Sequence, residues 1–403
     1  MNKNSRRMFL KNVICGTLSA SLATKAQLFG NEKTHRIKKG QMFYRRLGRT
    51  NLNISEISLG SSPLPDWTVL LEIIERGVNY IDTSHTYMNG NSERQIGTLL
   101  KNVGRDKIYV ATKFHARENS SEESIIKSVE GSLQRLKTDH IDVLLIHGAE
   151  EKYITDERVL NAFEKLKKEG KYRFQGISCH SNHHEVVKKA VECGRYDMIQ
   201  LGYNVFDIQK TEKEIKTYDD YLGASGIRHL LSLARSKDIG IIAMKTLKIG
   251  GKRQNLERYK TGDISIFQAM LKWVLENRNV SSVVTEMLTF KQMEEDLAVV
   301  NQPFLQKEKR SLLCYVAENS KDYCHLCGLC ESSCPLNIKT TSILRYLAYY
   351  ESYGKIDYAK KAYSSLDPSA TAASCTECGQ CENVCPYGVN IRKRIQEAHF
   401  LLG

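Results

Sequence analysis

At 403 residues the chain is too long for one small domain and suits two or three. With 41 % apolar and 26 % charged residues it is neither disordered nor fibrous, and it lacks the 18-residue apolar run of a membrane span. Fifty-nine bases against 46 acids give +13, and nine of the twelve cysteines fall after residue 300.

The chain opens with Ser5-Arg6-Arg7-Met8-Phe9-Leu10-Lys11, then a mildly apolar stretch from Val13 to Ala23 and small residues. Basic, apolar and small residues in that order predict a signal peptide, and the paired arginines predict the twin-arginine type. Residues 1–26 are read as the leader, with cleavage after Ala23 or Ala26. The apolar stretch is too short for a stable span, and Cys15 lacks the preceding small residues of a lipoprotein site. Such a leader implies the twin-arginine export machinery as a partner and the periplasm as destination. It also implies export of a folded protein whose cofactor is inserted in the cytoplasm. A charged linker follows, taken as residues 27–42.

From 43 to 300, strand-like and helical runs alternate. The predicted strands are Ile57–Gly60, Val78–Asp82, Ile108–Lys113, Val143–His147, Phe174–Ser178, Met198–Leu201, Ile239–Met244 and Val280–Val284. Amphipathic stretches such as Ser120–Lys137, Glu157–Lys168 and Ser265–Glu276 lie between them. Eight such units predict a (β/α)8 TIM barrel. A doubly wound sheet competes, but no G-x-G-x-x-G turn follows the first strand.

Chemistry in such barrels sits where strands end. Asp82, Lys113 and His147 are polar residues at otherwise apolar strand ends, and Tyr87 follows Asp82 by five positions. A tyrosine is a weak acid near neutral pH, and a lysine beside it is expected to lower its pKa. An aspartate holding that lysine and a histidine donating to the same carbonyl oxygen complete a proton-delivery site. These four are the candidate catalytic residues.

The stretch from Arg46-Leu47-Gly48-Arg49-Thr50 to Leu297 resembles the aldo-keto reductases. The likeness rests on Asp82-Thr83 with Tyr87, Asn91-Ser92-Glu93, Thr112-Lys113, Asp142 to His147, Gly176-Ile177-Ser178, and Gln200 with Tyr203-Asn204. The resemblance implies Tyr87 as general acid, Lys113 and Asp82 tuning it, and His147 orienting a carbonyl. It further implies a nicotinamide, NAD or NADP, resting on Ser178 and Gln200. Gly250-Gly251 is the candidate for close approach to its pyrophosphate. Departures from the family pattern bear on the nucleotide. Thr285-Glu286-Met287 replaces a Pro-Gly turn, and the next helix offers Gln292, Glu294, Glu295 and Asp296, with Lys291 as the lone base. A glutamate there would repel a 2′-phosphate. Met244-Lys245-Thr246-Leu247 lacks the aromatic that commonly stacks on nicotinamide.

Residues 301–403 hold Cys324-x2-Cys327-x2-Cys330-x3-Cys334-Pro335, repeated as Cys375-x2-Cys378-x2-Cys381-x3-Cys385-Pro386. Three thiolates at intervals of three wrap one corner of a cubane, and the Cys-Pro supplies a fourth ligand. Zinc prefers two separated pairs, and cysteines three apart on a tight loop are poorly placed to bridge one another. Two [4Fe-4S] clusters are expected, in a domain resembling α-helical dicluster ferredoxins. A single helical bridge over Ile343 to Ala362 is expected to stack Tyr346, Tyr349, Tyr350, Tyr353 and Tyr358 over a small core. Cys179, Cys193 and Cys314 read as ordinary thiols.

The sequence thus describes an exported iron–sulfur oxidoreductase that interconverts a small carbonyl and an alcohol, with a sugar-like compound as candidate substrate. An unidentified redox partner protein or carrier completes the electron route. The alternative is an electron-transfer protein whose barrel is only a docking scaffold. A nucleic-acid partner is not expected, because Lys and Arg are scattered among Glu and Asp. Losing the leader removes five bases and leaves +8, and two clusters at about −2 each lower it to roughly +4.

Overall fold

The structure, a computed structural model, describes residues 36–207, 226–249 and 256–403. The leader, Gly250 and Gly251 lie outside the described residues. The end of the expected linker is a strand. β1 (Arg36–Lys39) turns at Gly40 into β2 (Met42–Arg46), which pairs with β3 (Asn53–Ser55), all antiparallel.

Eight parallel strands then close a barrel. They are β4 (Ile57–Gly60), β5 (Tyr80–Asp82), β6 (Tyr109–Phe114), β7 (Ile141–His147), β8 (Tyr172–Cys179), β9 (Met198–Gly202), β10 (Gly240–Met244) and β11 (Ser282–Thr285). Each pairs with the next, and β11 returns to β4, so no sheet edge stays open. The eight predicted strands are all present, with ends shifted by up to two residues.

Strand alternation explains where chemistry can sit. Tyr80, Ala111, Val143, Leu145, Met198 and Ile242 form one interior cluster, and Leu47, Leu52 and Ile54 plug it from the N-terminal side. Two positions further along these strands, on the same interior face, come Asp82, Lys113, His147, Gln200 and Met244. Gly176 precedes Ser178 in the same way, and a Cβ on Gly176 would lie 2.4 Å from the Met198 carbonyl oxygen. Only glycine lets β8 and β9 approach this closely. The floor of the barrel is therefore apolar and its C-terminal mouth polar.

The helix Gln306–Asn319 was assigned to the second domain, yet its Leu312, Leu313, Tyr315 and Val316 join the barrel's hydrophobic core. Its Glu308 accepts from Lys272 Nζ at 3.1 Å on the helix Ile266–Glu276, with both side chains 2 % exposed. A second core begins beyond it, built on Ile338, Ile343, Leu347, Ile391 and Ile395. The expected single bridge is two helices, Thr340–Glu351 and Ile356–Ser364, because Gly354 (φ 64°) breaks it in the left-handed region. Tyr349 still meets Tyr353 at 5.9 Å and Tyr358 at 5.3 Å between ring centres. Among the described residues no helix is long and apolar enough to cross a membrane.

Breaking one partner of a buried ion pair strands the other charge, which costs roughly 3–5 kcal/mol. Glu308→Ala should lower the free energy of unfolding by about that much. Urea titration followed by circular dichroism checks it, and a change below 1 kcal/mol, within the range of about 0–1 for exposed pairs, would show the pair to be immaterial.

Candidate active site and cluster sites

The four strand-end residues meet in the barrel mouth. Lys113 Nζ lies 2.7 and 2.8 Å from the two Asp82 carboxylate oxygens. It also donates to the Thr83 carbonyl at 2.6 Å and to the Tyr87 hydroxyl at 3.4 Å. Tyr87 reaches this point because Met88 (φ 51°) and Asn89 (φ 54°) turn the chain back in the left-handed region. Its ring meets His147 edge-on at 5.7 Å, and His147 Nδ1 is 3.1 Å from Ser84 Oγ.

The electrostatics differ from the sequence expectation at Tyr87. Burial first, then Asp82 and Glu286, hold its phenol well above the ordinary value. Lys113, itself pulled down by burial against Asp82's opposing pull, does not reverse this. The phenol is thus a protonated donor at neutral pH. Burial, with Lys113 and His115 adding, pushes His147 down to about 2, so its imidazole is neutral.

Three histidines missed in the sequence surround it. His115 stacks on His147 at 4.5 Å, His85 meets His115 edge-on at 5.5 Å, and His180 meets His147 at 5.4 Å. Each sits one to three positions beyond a strand that already supplied a candidate, and that position was the available signal. Among the described residues these histidines form no group that could hold a metal ion.

Ser178 and Gln200 are paired across β8 and β9. Gln200 Oε1 is buried without a hydrogen-bond partner, which fits a carboxamide N–H from a nicotinamide. Glu286, expected near a 2′-phosphate, has other neighbours. It lies near Tyr87 and is paired with Lys355 Nζ of the C-terminal domain at 3.1 Å. Other motif residues are structural. Glu93 receives Thr112 Oγ1 and Arg135 Nε at 2.6 Å each, and Asp142 receives Arg105 and Arg173. Cys179 is buried, with its thiol raised to about 12 by burial.

The two cysteine loops repeat in three dimensions. Leu326 and Glu377, both near φ +57°, donate backbone N–H to Cys324 and Cys375 sulfurs at 3.4 Å. Glu331 accepts from the Thr341 N–H at 2.7 Å, and Glu382 from the Arg392 N–H at 2.9 Å, ten residues on in each case. The fourth cysteines cross over. One cavity is lined by Cys334, Cys375, Cys378 and Cys381. Cys385 instead falls with Cys324, Cys327 and Cys330, close enough for their charges to act on one another. Four thiols per site, with N–H donors aimed at sulfur, fit an iron–sulfur cubane. The first set lies against the barrel, where Lys248 Nζ donates to the Cys324 carbonyl at 2.8 Å, while Cys378 of the second set is exposed.

His115, pushed down to about 4 by burial, and His147 are neutral when folded but protonate in the unfolded chain below 6.5. Unfolding therefore takes up protons in acid, and stability should rise with pH between about 4 and 6.5. His115→Phe should flatten that rise in urea midpoints measured across the window. An unchanged slope would place the proton uptake elsewhere.

Residues 67–260 match the Aldo/keto reductase family, and residues 320–389 match the 4Fe-4S dicluster domain. An uncharacterized oxidoreductase of Bacillus subtilis, YqkF, is 29 % identical over 66 % of this chain and 93 % of its own length. L-galactose dehydrogenase of Arabidopsis thaliana is 28 % identical over 64 % of this chain and 88 % of its own. Among solved structures, the aldo-keto reductase AKR11C1 of Bacillus halodurans shares the fold, with a TM-score of 0.55 at 23 % identity. That likeness covers 68 % of this chain and 96 % of that one. The chain is an oxidoreductase whose barrel matches the aldo/keto reductase family, with a match to the 4Fe-4S dicluster domain on the barrel's C-terminal side.

Proposed function

We propose that the protein interconverts a small carbonyl and its alcohol in the barrel mouth, with two [4Fe-4S] clusters exchanging electrons with a bound dinucleotide. The observation carrying this reading is the Asp82–Lys113–Tyr87 chain beside a neutral His147. The Tyr87 hydroxyl donates its proton to the carbonyl oxygen. The phenolate left behind is stabilised by the Lys113 ammonium 3.4 Å away, which Asp82 keeps in place. With the Ser84 hydroxyl donating to Nδ1, His147 offers its Nε2–H to the same oxygen. In the reverse direction the same groups remove the alcohol proton.

A nicotinamide, when bound, supplies or accepts the hydride, and the clusters, when bound, carry single electrons. Ser178 and Gln200 are the residues for the carboxamide. The helix Phe290–Ala298 exposes Glu294 and has Lys291 as its one base, while Glu295 accepts from Ser265 and Asp296 is buried; a single base favours a dinucleotide lacking the 2′-phosphate. An NADH-specific methylglyoxal reductase of Escherichia coli, 25 % identical, supports that choice. L-galactose dehydrogenase makes a sugar-like alcohol the first substrate to try.

The Arg6-Arg7 leader supports periplasmic export of the folded, loaded protein. A dinucleotide retained through export and recycled by the clusters meets the scarcity of free nucleotide outside the cytoplasmic membrane. The exposure of Cys378 in the second thiol set suits exchange with an external redox partner.

Tyr87→Phe should lower carbonyl turnover at least about 100-fold, the usual scale for general acid catalysis. The clusters' visible absorbance should stay intact. Unchanged turnover would favour a barrel that serves only as a docking scaffold.

A further inference from the structure

The carbonyl chemistry leaves a cluster of positive charge in the barrel mouth without a role. Lys245 follows β10 in the left-handed region (φ 57°). Its stem passes Gly202, where a Cβ would lie 3.9 Å from Lys245 Cδ and 3.6 Å from His183 Cε1. Arg345 approaches from the dicluster domain, on the helix Thr340–Glu351. That helix is fastened to the barrel just beyond its end, where Ser352 Oγ donates to the Ile249 carbonyl at 3.3 Å.

Among the described residues neither cation has an acidic partner, and Arg345 Nε is buried with no acceptor. Thr246 Oγ1 and His183 Nε2 are also buried and unpartnered. Lys248, the third cation, is occupied by the Cys324 carbonyl and lies 4.2 Å over the Tyr323 ring. Burial, with Lys248 and Arg345 adding, pulls Lys245 down to about 7. Arg345 also acts on His180, beside the catalytic His147. Half-buried like charges with buried, orphaned polar atoms around them are unfavourable unless an anion joins them.

We infer that Lys245 and Arg345 form a subsite for a phosphate or carboxylate group, closed between the barrel and the dicluster domain beside the carbonyl site. The inference rests on the reading of the barrel mouth as the substrate and dinucleotide site. A guanidinium fork opposite an ammonium suits either a dinucleotide pyrophosphate or the carboxylate of an acidic carbonyl substrate. On either source, the dicluster domain supplies one wall of the pocket.

Calorimetric titration of the full-length, cluster-loaded protein, freed of any bound nucleotide, tests it, using inorganic pyrophosphate, NADH, glyoxylate and the uncharged methylglyoxal as probes. If the anion is the dinucleotide's, Arg345→Gln and Lys245→Met should each weaken pyrophosphate and NADH at least tenfold. If it is the substrate's, they should weaken glyoxylate tenfold and leave NADH unchanged. Methylglyoxal should be unaffected in both cases. Anionic probes that fail to bind the parent protein, or bind the variants equally well with cluster absorbance intact, would overturn the subsite. No turnover is involved, so a failure of Tyr87 chemistry would appear separately, as unchanged turnover in Tyr87→Phe.

Discussion

A lysine with its side chain wholly buried constrains the mouth of the barrel. Lys113 is stable there only because both Asp82 oxygens and the Thr83 carbonyl surround its ammonium. That arrangement requires β5 and β6 to hold their register, with Asp82 opposite Ala111. It also requires the chain after β5 to fold back tightly, at two residues of positive φ, and this return puts the Tyr87 hydroxyl against the ammonium. The catalytic proposal is thus a consequence of solvating one buried cation.

The second domain meets this mouth and closes over it. Lys355 pairs with Glu286, Asn204 Nδ2 donates to the Tyr323 hydroxyl at 2.5 Å, and Lys248 holds the Cys324 carbonyl. An unbroken run of ring contacts leads from the barrel to the first thiol set. Phe206 stacks on Tyr323 at 4.3 Å, Tyr323 meets His325 at 4.9 Å, and His325 stacks on Tyr387 at 3.7 Å. Tyr323 precedes Cys324, and Tyr387 lies two residues after Cys385. The first thiol set thus lies against the barrel, while Cys378 of the second is exposed.

The strand ends were legible because the interior face of these strands is apolar until its last position, so Asp82, Lys113 and His147 stood out against Tyr80, Ala111 and Leu145 two positions earlier. The cluster ligands were legible from spacing alone, since three thiols at intervals of three have few other uses. The crossing of Cys334 and Cys385 was not, because it depends on how two similar loops pack. The pairing of Glu286 with Lys355, 69 residues away, was hidden for the same reason. Tyr87's raised pKa was missed because burial and two carboxylates outweigh one lysine, a balance that spacing does not encode. The Gly354 break in the expected helical bridge was present as a residue, but a lone glycine inside a helical pattern is an ambiguous signal.

The central claim is that barrel and clusters form one redox system. Its most direct measurement is an anaerobic reductive titration of the holoprotein, followed by electron paramagnetic resonance before and after NAD⁺ is added. Two singly reduced clusters hold the two electrons that, with one proton, convert NAD⁺ to NADH. The account predicts that the reduced-cluster signal disappears as NADH absorbance rises, in a ratio of two electrons per nucleotide. A reduced-cluster signal that persists unchanged, with no NADH formed, would contradict it.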